Sequence, residues 1–245
     1  MLMPSDSTAP SRTSEWFVPR FGPLRFRTFV GLLFLPYTGM VLSFALIGSL
    51  LPAAVSYERS LAIVVIYFFG LGIAAHALDA LGSKGPKPWG TVFTKRQLWL
   101  IAAPALLIAY GIAIYYMLRF APLLWTVALV EGFFVFAYNL EWFSGRFHTD
   151  ASFAVSWGGL PVLAGYVMQT NRLSLAAVVV AVAMGLFATI EIKVSRPYKE
   201  LRRAGGELTG ETKLLLRRYE TLLQCVSLGV IVLGCGLLLA RVFTQ

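Results

Sequence analysis

Seven apolar stretches follow one another along the chain, and the segments between them carry most of the charge. A bilayer hydrocarbon core of about 30 Å takes roughly 20 residues of helix. On that measure the pattern predicts membrane spans at 28–52, 59–80, 97–117, 120–140, 151–169, 173–193 and 219–240, the fifth being the shortest. The expected fold is therefore all-α, a polytopic membrane helix bundle of about seven transmembrane helices. Residues 1–24, rich in Ser, Thr and Pro, read as a flexible tail ahead of a transmembrane domain spanning 25–245. They contain no apolar core of the kind a cleavable signal peptide needs. Trp16, Phe17, Phe21 and Phe26 alternate with Arg20, Arg25 and Arg27, a mixture suited to lying on a lipid surface.

Composition strengthens the membrane assignment. Hydrophobic residues make up 58% of the chain and charged residues only 13%, and the mean hydropathy is +0.72, outside the range of soluble domains. The formal charge of +9 has a topological explanation. Placing the N-terminus and the segments near 81–96, 141–150 and 194–218 on one side puts seventeen Lys and Arg residues there. Arg59, Arg119, Arg172 and Arg241 remain on the other. Basic residues stay cytoplasmic, so the expected protein is a multi-pass membrane protein with a cytoplasmic N-terminus, in the cell membrane if the source is prokaryotic. The positive face then attracts anionic lipids, and no nucleic-acid partner is required. Cys225 and Cys235, ten residues apart in the last span, read as packing residues.

Three carboxylates fall within or at the edge of apolar spans: Asp79, Glu131 and Glu191. An acid facing lipid at mid-bilayer costs about 2.5 to 3.5 kcal/mol, so each is expected to face protein or a hydrated cavity. Asp79 ends the second span and Glu191 the sixth. Each is followed by cations and a proline, Lys84, Lys87 and Pro88 in one case and Lys193, Arg196 and Pro197 in the other. If the spans form two related halves, both acids converge on one central cavity. His76, three residues before Asp79, shares its helical face and is a candidate proton acceptor or a structural partner of that carboxylate.

Carboxylates beside lysines and arginines, opening onto an apolar chamber, suit a lipid diphosphate. The acids would hold Mg²⁺, which keeps much of its water and bridges to phosphate oxygens, while the basic residues neutralise the remaining charge. For an allylic diphosphate, aromatic faces such as Tyr67, Phe68, Phe69, Phe133, Phe134, Phe136, Tyr138, Trp157 and Tyr166 would stabilise an allylic cation, although such residues are as readily explained by packing.

With these residues in view the chain resembles the UbiA superfamily of intramembrane prenyltransferases. The likeness rests on Asp79 and Glu191 at the ends of the second and sixth spans, and on Lys87-Pro88-Trp89-Gly90-Thr91 leading into the third. Tyr138-Asn139 in the fourth span, and Gly158-Gly159-Leu160-Pro161 with Gly165-Tyr166 in the fifth, add to it. It covers roughly residues 25–240. The resemblance implies an all-helical bundle around a central cavity, a prenyl diphosphate donor, a lipid-like apolar acceptor, and Mg²⁺ held by Asp79 and Glu191. Aligning the family's first acidic motif on Asp79 places Ala75, His76 and Ser83 where further polar or acidic residues would stand. A non-catalytic lipid-binding or assembly relative therefore stays open beside the enzyme, as does a small proton-coupled transporter using the three intramembrane acids.

Asp79, Glu191 and His76 are accordingly the candidate catalytic residues. Lys84, Lys87, Arg146, Arg196, Lys199, Glu131, Tyr138, Asn139 and Tyr166 are the candidate substrate-binding residues. Glu131 lies seven residues before Tyr138 on one helical face and is expected to line the acceptor pocket or to pair with another helix. His148, near Arg146 and Asp150, reads as a loop residue. The segment 194–218 is expected to be a cytoplasmic loop whose short amphipathic helix caps the cavity, bringing Arg196, Lys199, Arg202 and Arg203 towards the ligand. Glycines at 70, 72, 158, 159, 185, 229, 234 and 236 are expected to permit close helix packing.

Overall fold

The computed structural model describes residues 15–83, 92–203 and 209–244. Eight helices organise them: α1 Leu24–Leu32, α2 Leu35–Leu50, α3 Tyr57–Gly82, α4 Lys95–Arg119, α5 Leu124–Asn139, α6 Asp150–Thr170, α7 Leu175–Arg203 and α8 Gly210–Thr244. No strand occurs among the described residues. Among the described residues six spans are long and apolar enough to cross a membrane, α1 and α2 together forming the first, and α5 is shorter at 16 residues. The protein is an all-α, multi-pass membrane bundle.

Local chemistry sets the starts of these helices. The Ser56 side chain accepts from the Arg59 N–H to open α3. Thr94 and Gln97 form a reciprocal capping box at α4, Thr149 caps α6, and Ser174 and Thr209 accept from Ala177 and Thr212 at α7 and α8. Each cap satisfies a backbone donor that would otherwise be orphaned at a helix end.

Small residues decide which helices meet. A Cβ on Gly48 of α2 would collide with the Val162 carbonyl of α6, and one on Gly165 of α6 with the Ala45 carbonyl of α2. Backbone approaches backbone there, the packing that small residues permit in membranes. Gly158 of α6 meets the Cα of Gly185 of α7 at 2.7 Å from its built Cβ, and Gly234 of α8 faces Ser43 of α2. α2 thus packs against α3, α6 and α8, and α6 against α7. Not every glycine expected to pack does so: Gly229 and Gly236 have open space where a Cβ would stand, and Gly70 meets only Ala109. Cys225 and Cys235 are exposed on α8 rather than packed. The outward surfaces of α4, α7 and α8 carry Leu107, Leu118, Val179, Leu186, Val232 and Leu239, all exposed, as a lipid-facing surface requires.

The segment 194–218 is not a loop with its own helix. α7 continues through Pro197 to Arg203, and α8 begins at Gly210. Proline removes one backbone donor, but membrane helices tolerate it where the freed groups find other partners. Glu15 and Val18, expected to belong to a tail, are buried against the bundle: Glu15 is only 3% exposed and accepts a 2.7 Å hydrogen bond from the Tyr198 hydroxyl of α7, while residues 20–23 are exposed.

The two ends of the bundle differ. At the end bearing Arg59, Arg172 and Arg241, polar bonds lock the turns together. Gln169 of α6 accepts from the Ser56 N–H at 2.9 Å and donates to the Ser56 carbonyl, Arg59 donates to the Gln169 carbonyl at 3.2 Å, and Arg241 donates to the Pro52 carbonyl at 2.9 Å. The cation-rich end is hollow.

Candidate functional site

The hollow is a cavity of about 280 Å³ lined from six parts of the chain. The junction of α1 and α2 supplies Phe34 and Tyr37. The end of α3 supplies His76, Asp79 and Ser83. Tyr138 and Asn139 end α5, Glu141 and His148 come from the following connection, and Phe153 and Trp157 from α6. Glu191, Ser195, Arg196, Lys199 and Glu200 come from α7. The two acids predicted from sequence, Asp79 and Glu191, thus line one chamber from separate helices.

Irregular backbone shapes this chamber. α3 is π-helical over Phe68–Ala75 and α6 over Ala154–Gly159, wide turns that occur often at functional sites. His76 follows the first π segment, Trp157 lies in the second, and their rings stand 5.0 Å apart. Phe34, between α1 and α2, has φ 44 and ψ 54, a left-handed conformation costly for a bulky side chain. In that conformation its ring stacks against Tyr37 at 5.4 Å and His76 at 5.1 Å. The Lys199 ammonium sits 5.3 Å above the same ring. Glu141, Phe143 and Ser144 also have positive φ, so a second strained segment borders the chamber.

Hydrogen bonds orient both histidines. Thr38 donates its hydroxyl proton to the Leu33 carbonyl at 2.6 Å. Its oxygen is therefore left to accept, and it lies 3.4 Å from His76 Nε2, a long contact that favours a proton on that nitrogen. His148 Nδ1 is 3.1 Å from the Tyr138 carbonyl oxygen, which can only accept, so Nδ1 carries the proton. The His148 ring also stacks on Tyr138 at 4.4 Å. Asn139, 2% exposed, donates to the Val135 carbonyl at 2.9 Å. Glu191 is 4% exposed, and its Oε1 has no hydrogen-bond partner among the described residues.

Among the described residues the charge balance of the lining is acidic. Asp79, Glu141, Glu191 and Glu200 are set against Arg196 and Lys199, and Arg196 is already engaged by Asp150 at 2.8 Å, with Lys193 3.6 Å from the same carboxylate. Among the described residues no group of three or more His, Cys, Asp or Glu side chains is gathered closely enough to hold a metal by itself.

Of the residues singled out from sequence, His76, Asp79, Tyr138, Asn139, Glu191, Arg196 and Lys199 line the chamber. Lys84 and Lys87 lie outside the described residues. Arg146 is exposed and Tyr166 half-buried, and neither lines the cavity. Glu131 lies in a different pocket, between α3, α4, α5 and α6. Seven residues of helix advance about 10 Å, which carries Glu131 deeper into the bundle than Tyr138. Phe34 and Tyr37 line it without any mark in the sequence, Ser83 is reached only through the family motif, and His148, a loop residue as expected, also lines the chamber. A histidine among few in an apolar chain is a signal for His148; an apolar residue such as Phe34 inside an apolar span carries none.

The fold and site define a multi-pass helical membrane protein with a polar chamber at its cation-rich end. Comparison with family models, with curated proteins and with solved structures finds no match to this chain.

Proposed function

We propose that this protein is a UbiA-like membrane prenyltransferase that moves an isoprenoid group from a prenyl diphosphate to an apolar acceptor. The observation that carries the reading is the joint presence of Asp79 and Glu191, from α3 and α7, in one cavity with Arg196 and Lys199. The donor set suits Mg²⁺ in chemistry, since both are hard carboxylates. Two of them leave most of the coordination shell to water and phosphate oxygens, the arrangement magnesium prefers. When bound, the ion would neutralise charge on a departing diphosphate. Arg196 and Lys199 would bind the remaining phosphate oxygens. Phe34, Tyr37, Trp157 and Tyr138 would face the allylic end and exclude water. His148, whose Nδ1–H donates to the Tyr138 carbonyl, offers Nε2 as a base, and His76 is the second candidate. The cation-rich end would face the cytoplasm, by the excess of basic residues there.

The test is binding of geranylgeranyl diphosphate to the protein in nanodiscs, with and without Mg²⁺, for wild type, Asp79→Asn and Glu191→Gln. Metal-dependent binding weakened in both variants, with diphosphate released when acceptor lipids are supplied, is the expected result. Binding indifferent to metal and to both substitutions would overturn it. Ala75, His76 and Ser83, standing where the family's first acidic motif carries further polar or acidic residues, favour a second reading, a relative that binds the prenyl lipid without transferring it. Metal-dependent binding with no diphosphate release would select that reading.

A further inference from the structure

One wall of the polar chamber is backed by the segment that precedes α1. Phe34, Tyr37 and Lys199 line the chamber, and the same three side chains line a separate void of about 10 Å³ closed by Glu15, Trp16 and Phe17 with Tyr198 of α7 and Leu223 of α8. A space of that size holds one water at most. Residues 15–17 therefore lie directly behind the chamber wall.

Helix packing leaves a gap at this place. α2 and α7 touch only lightly, while α8 packs on both. Deeper in the bundle α8 fills the gap, with Ile231 against Gly39 and Gly234 against Ser43 of α2. At the level of Phe34 the segment before α1 takes its place, held by side chains and not by a continuous helix. The Tyr198 hydroxyl donates to Glu15 at 2.7 Å, the Phe17 ring stands 5.7 Å from that of Phe34, and Val18 is buried. Segments held in this way open at a smaller free-energy cost than packed helices. Arg27 Nε donates to the Pro19 carbonyl at 2.9 Å and Gly22 has φ 87, so the far end of the segment is pinned beside a turn. Its outer surface is apolar, with Trp16, Phe21, Leu24 and Phe26 exposed. Exposed aromatic residues at the end of a span belong at the lipid headgroup level, so an opening here faces the bilayer.

We propose that residues 15–19 are a gate which swings away from Tyr198 and Phe34, about the pinned turn at Pro19 to Gly22, and opens a side entrance from the bilayer interface into the chamber. The entrance serves an amphiphile whose head enters while its tail stays in lipid. Phe34 is the inner leaf of the gate. Its left-handed backbone is strained and persists only while its surroundings enforce it, so withdrawal of Phe17 frees the ring to leave the wall. A ligand that enters through the open state favours that state by its differential affinity. The gate governs entry and does not depend on which reaction the chamber performs.

A cysteine at Ser195 reports entry, because Ser195 is 1% exposed, lines the chamber and lies one turn from Lys199 on α7. The intact chain is placed in nanodiscs with Cys225 and Cys235 changed to Ser. The reaction of Ser195→Cys with N-hexadecylmaleimide, which arrives from the bilayer, is compared with that of a sulfonated maleimide, which arrives from water. Tyr198→Phe should raise the lipid-borne rate roughly 10- to 150-fold, the gain in opening when a buried carboxylate loses a hydrogen bond. Phe17→Ala should raise it about tenfold through the lost ring contact. In both variants the water-borne rate should rise less. Arg59→Ala weakens polar contacts at the opposite end of the bundle, and both rates should stay within twofold of the parent, which separates the gate from general loosening. A lipid-borne rate within twofold of the parent in either gate variant, an equal gain with the water-borne reagent, or an equal gain in Arg59→Ala would overturn the proposal.

Discussion

Replacing Tyr198 by Phe removes one oxygen from the contact that fastens the segment before α1 to the bundle. The Tyr198 hydroxyl donates to Glu15 Oε2 at 2.7 Å, and Glu15 is 3% exposed. A hydrogen bond to a charged group contributes about 1.5 to 3 kcal/mol, and removing one partner leaves the buried carboxylate short of it. The ring itself stays, so the Arg202 guanidinium, 5.4 Å from its centroid, keeps its aromatic neighbour. Opening of residues 15–19 should therefore rise roughly 10- to 150-fold, at one decade for each 1.4 kcal/mol. The probe is a cysteine at Val18, which is 4% exposed, in a background with Cys225 and Cys235 changed to Ser. Its labelling by a membrane-impermeant maleimide tracks the open population when closing is faster than reaction. A labelling rate in Tyr198→Phe within twofold of the parent would refute the reasoning. Because Phe17 packs on Phe34 with ring centroids 5.7 Å apart, the same change loosens one wall of the chamber.

Three further outcomes follow from the packing and the charges. Gly165→Ala drives a Cβ into the Ala45 carbonyl and should destabilise the bundle by about 1 to 3 kcal/mol, whereas Gly236→Ala, in open space, should leave the unfolding midpoint in a detergent titration unchanged; equal effects would contradict the assigned α2–α6 contact. Asp150→Asn releases Arg196 from a 2.8 Å ion pair whose partners are partly exposed, so stability should fall by no more than about 1 kcal/mol, while affinity for inorganic diphosphate should increase, as read by calorimetry. Arg59→Ala removes the donor to the Gln169 carbonyl and a cation 4.7 Å from the Phe120 ring, and should lower stability by about 1 to 2 kcal/mol without changing ligand binding at the far end of the molecule.

The bundle was legible because lipid imposes a strict length and composition on each span, and the excess of cations near 81–96, 141–150 and 194–218 marked one end. The chamber was legible where an ionisable group interrupts an apolar run, as at Asp79 and Glu191. It was illegible where the contributing residue looks like its neighbours. Phe34 reads as one more apolar residue, and no glycine or asparagine betrays its left-handed backbone. Glycines illustrate the same limit: Gly48 and Gly236 are identical in sequence terms, yet one touches a carbonyl and the other faces open space. Charges and Pro197 argued for a loop after residue 193, but the helix runs on to Arg203. Periodicity placed Glu131 and Tyr138 on one face without saying that the cavity ends between them.

The asymmetry between the two ends of the bundle is itself an argument about where chemistry takes place. At the end bearing Arg59, backbone groups freed at helix termini are taken up by Gln169, Asn171 and Arg241, so little polar surface remains for a ligand there. At the other end the backbone turns sharply at Phe34 and again at Glu141, Phe143 and Ser144, and the side chains so displaced border an opening instead of filling it. Strained backbone costs of order 1 to 3 kcal/mol at each such residue and persists only where surrounding structure enforces it. Stability alone does not require a hollow with Glu191 enclosed and Oε1 left without a protein partner. A partner from outside the chain, a cation or a protonated group, relieves that deficit. Carboxylates outnumber basic residues in the described lining, so under the proposed function a cation bound beside Asp79 and Glu191 would strengthen the hold on a diphosphate.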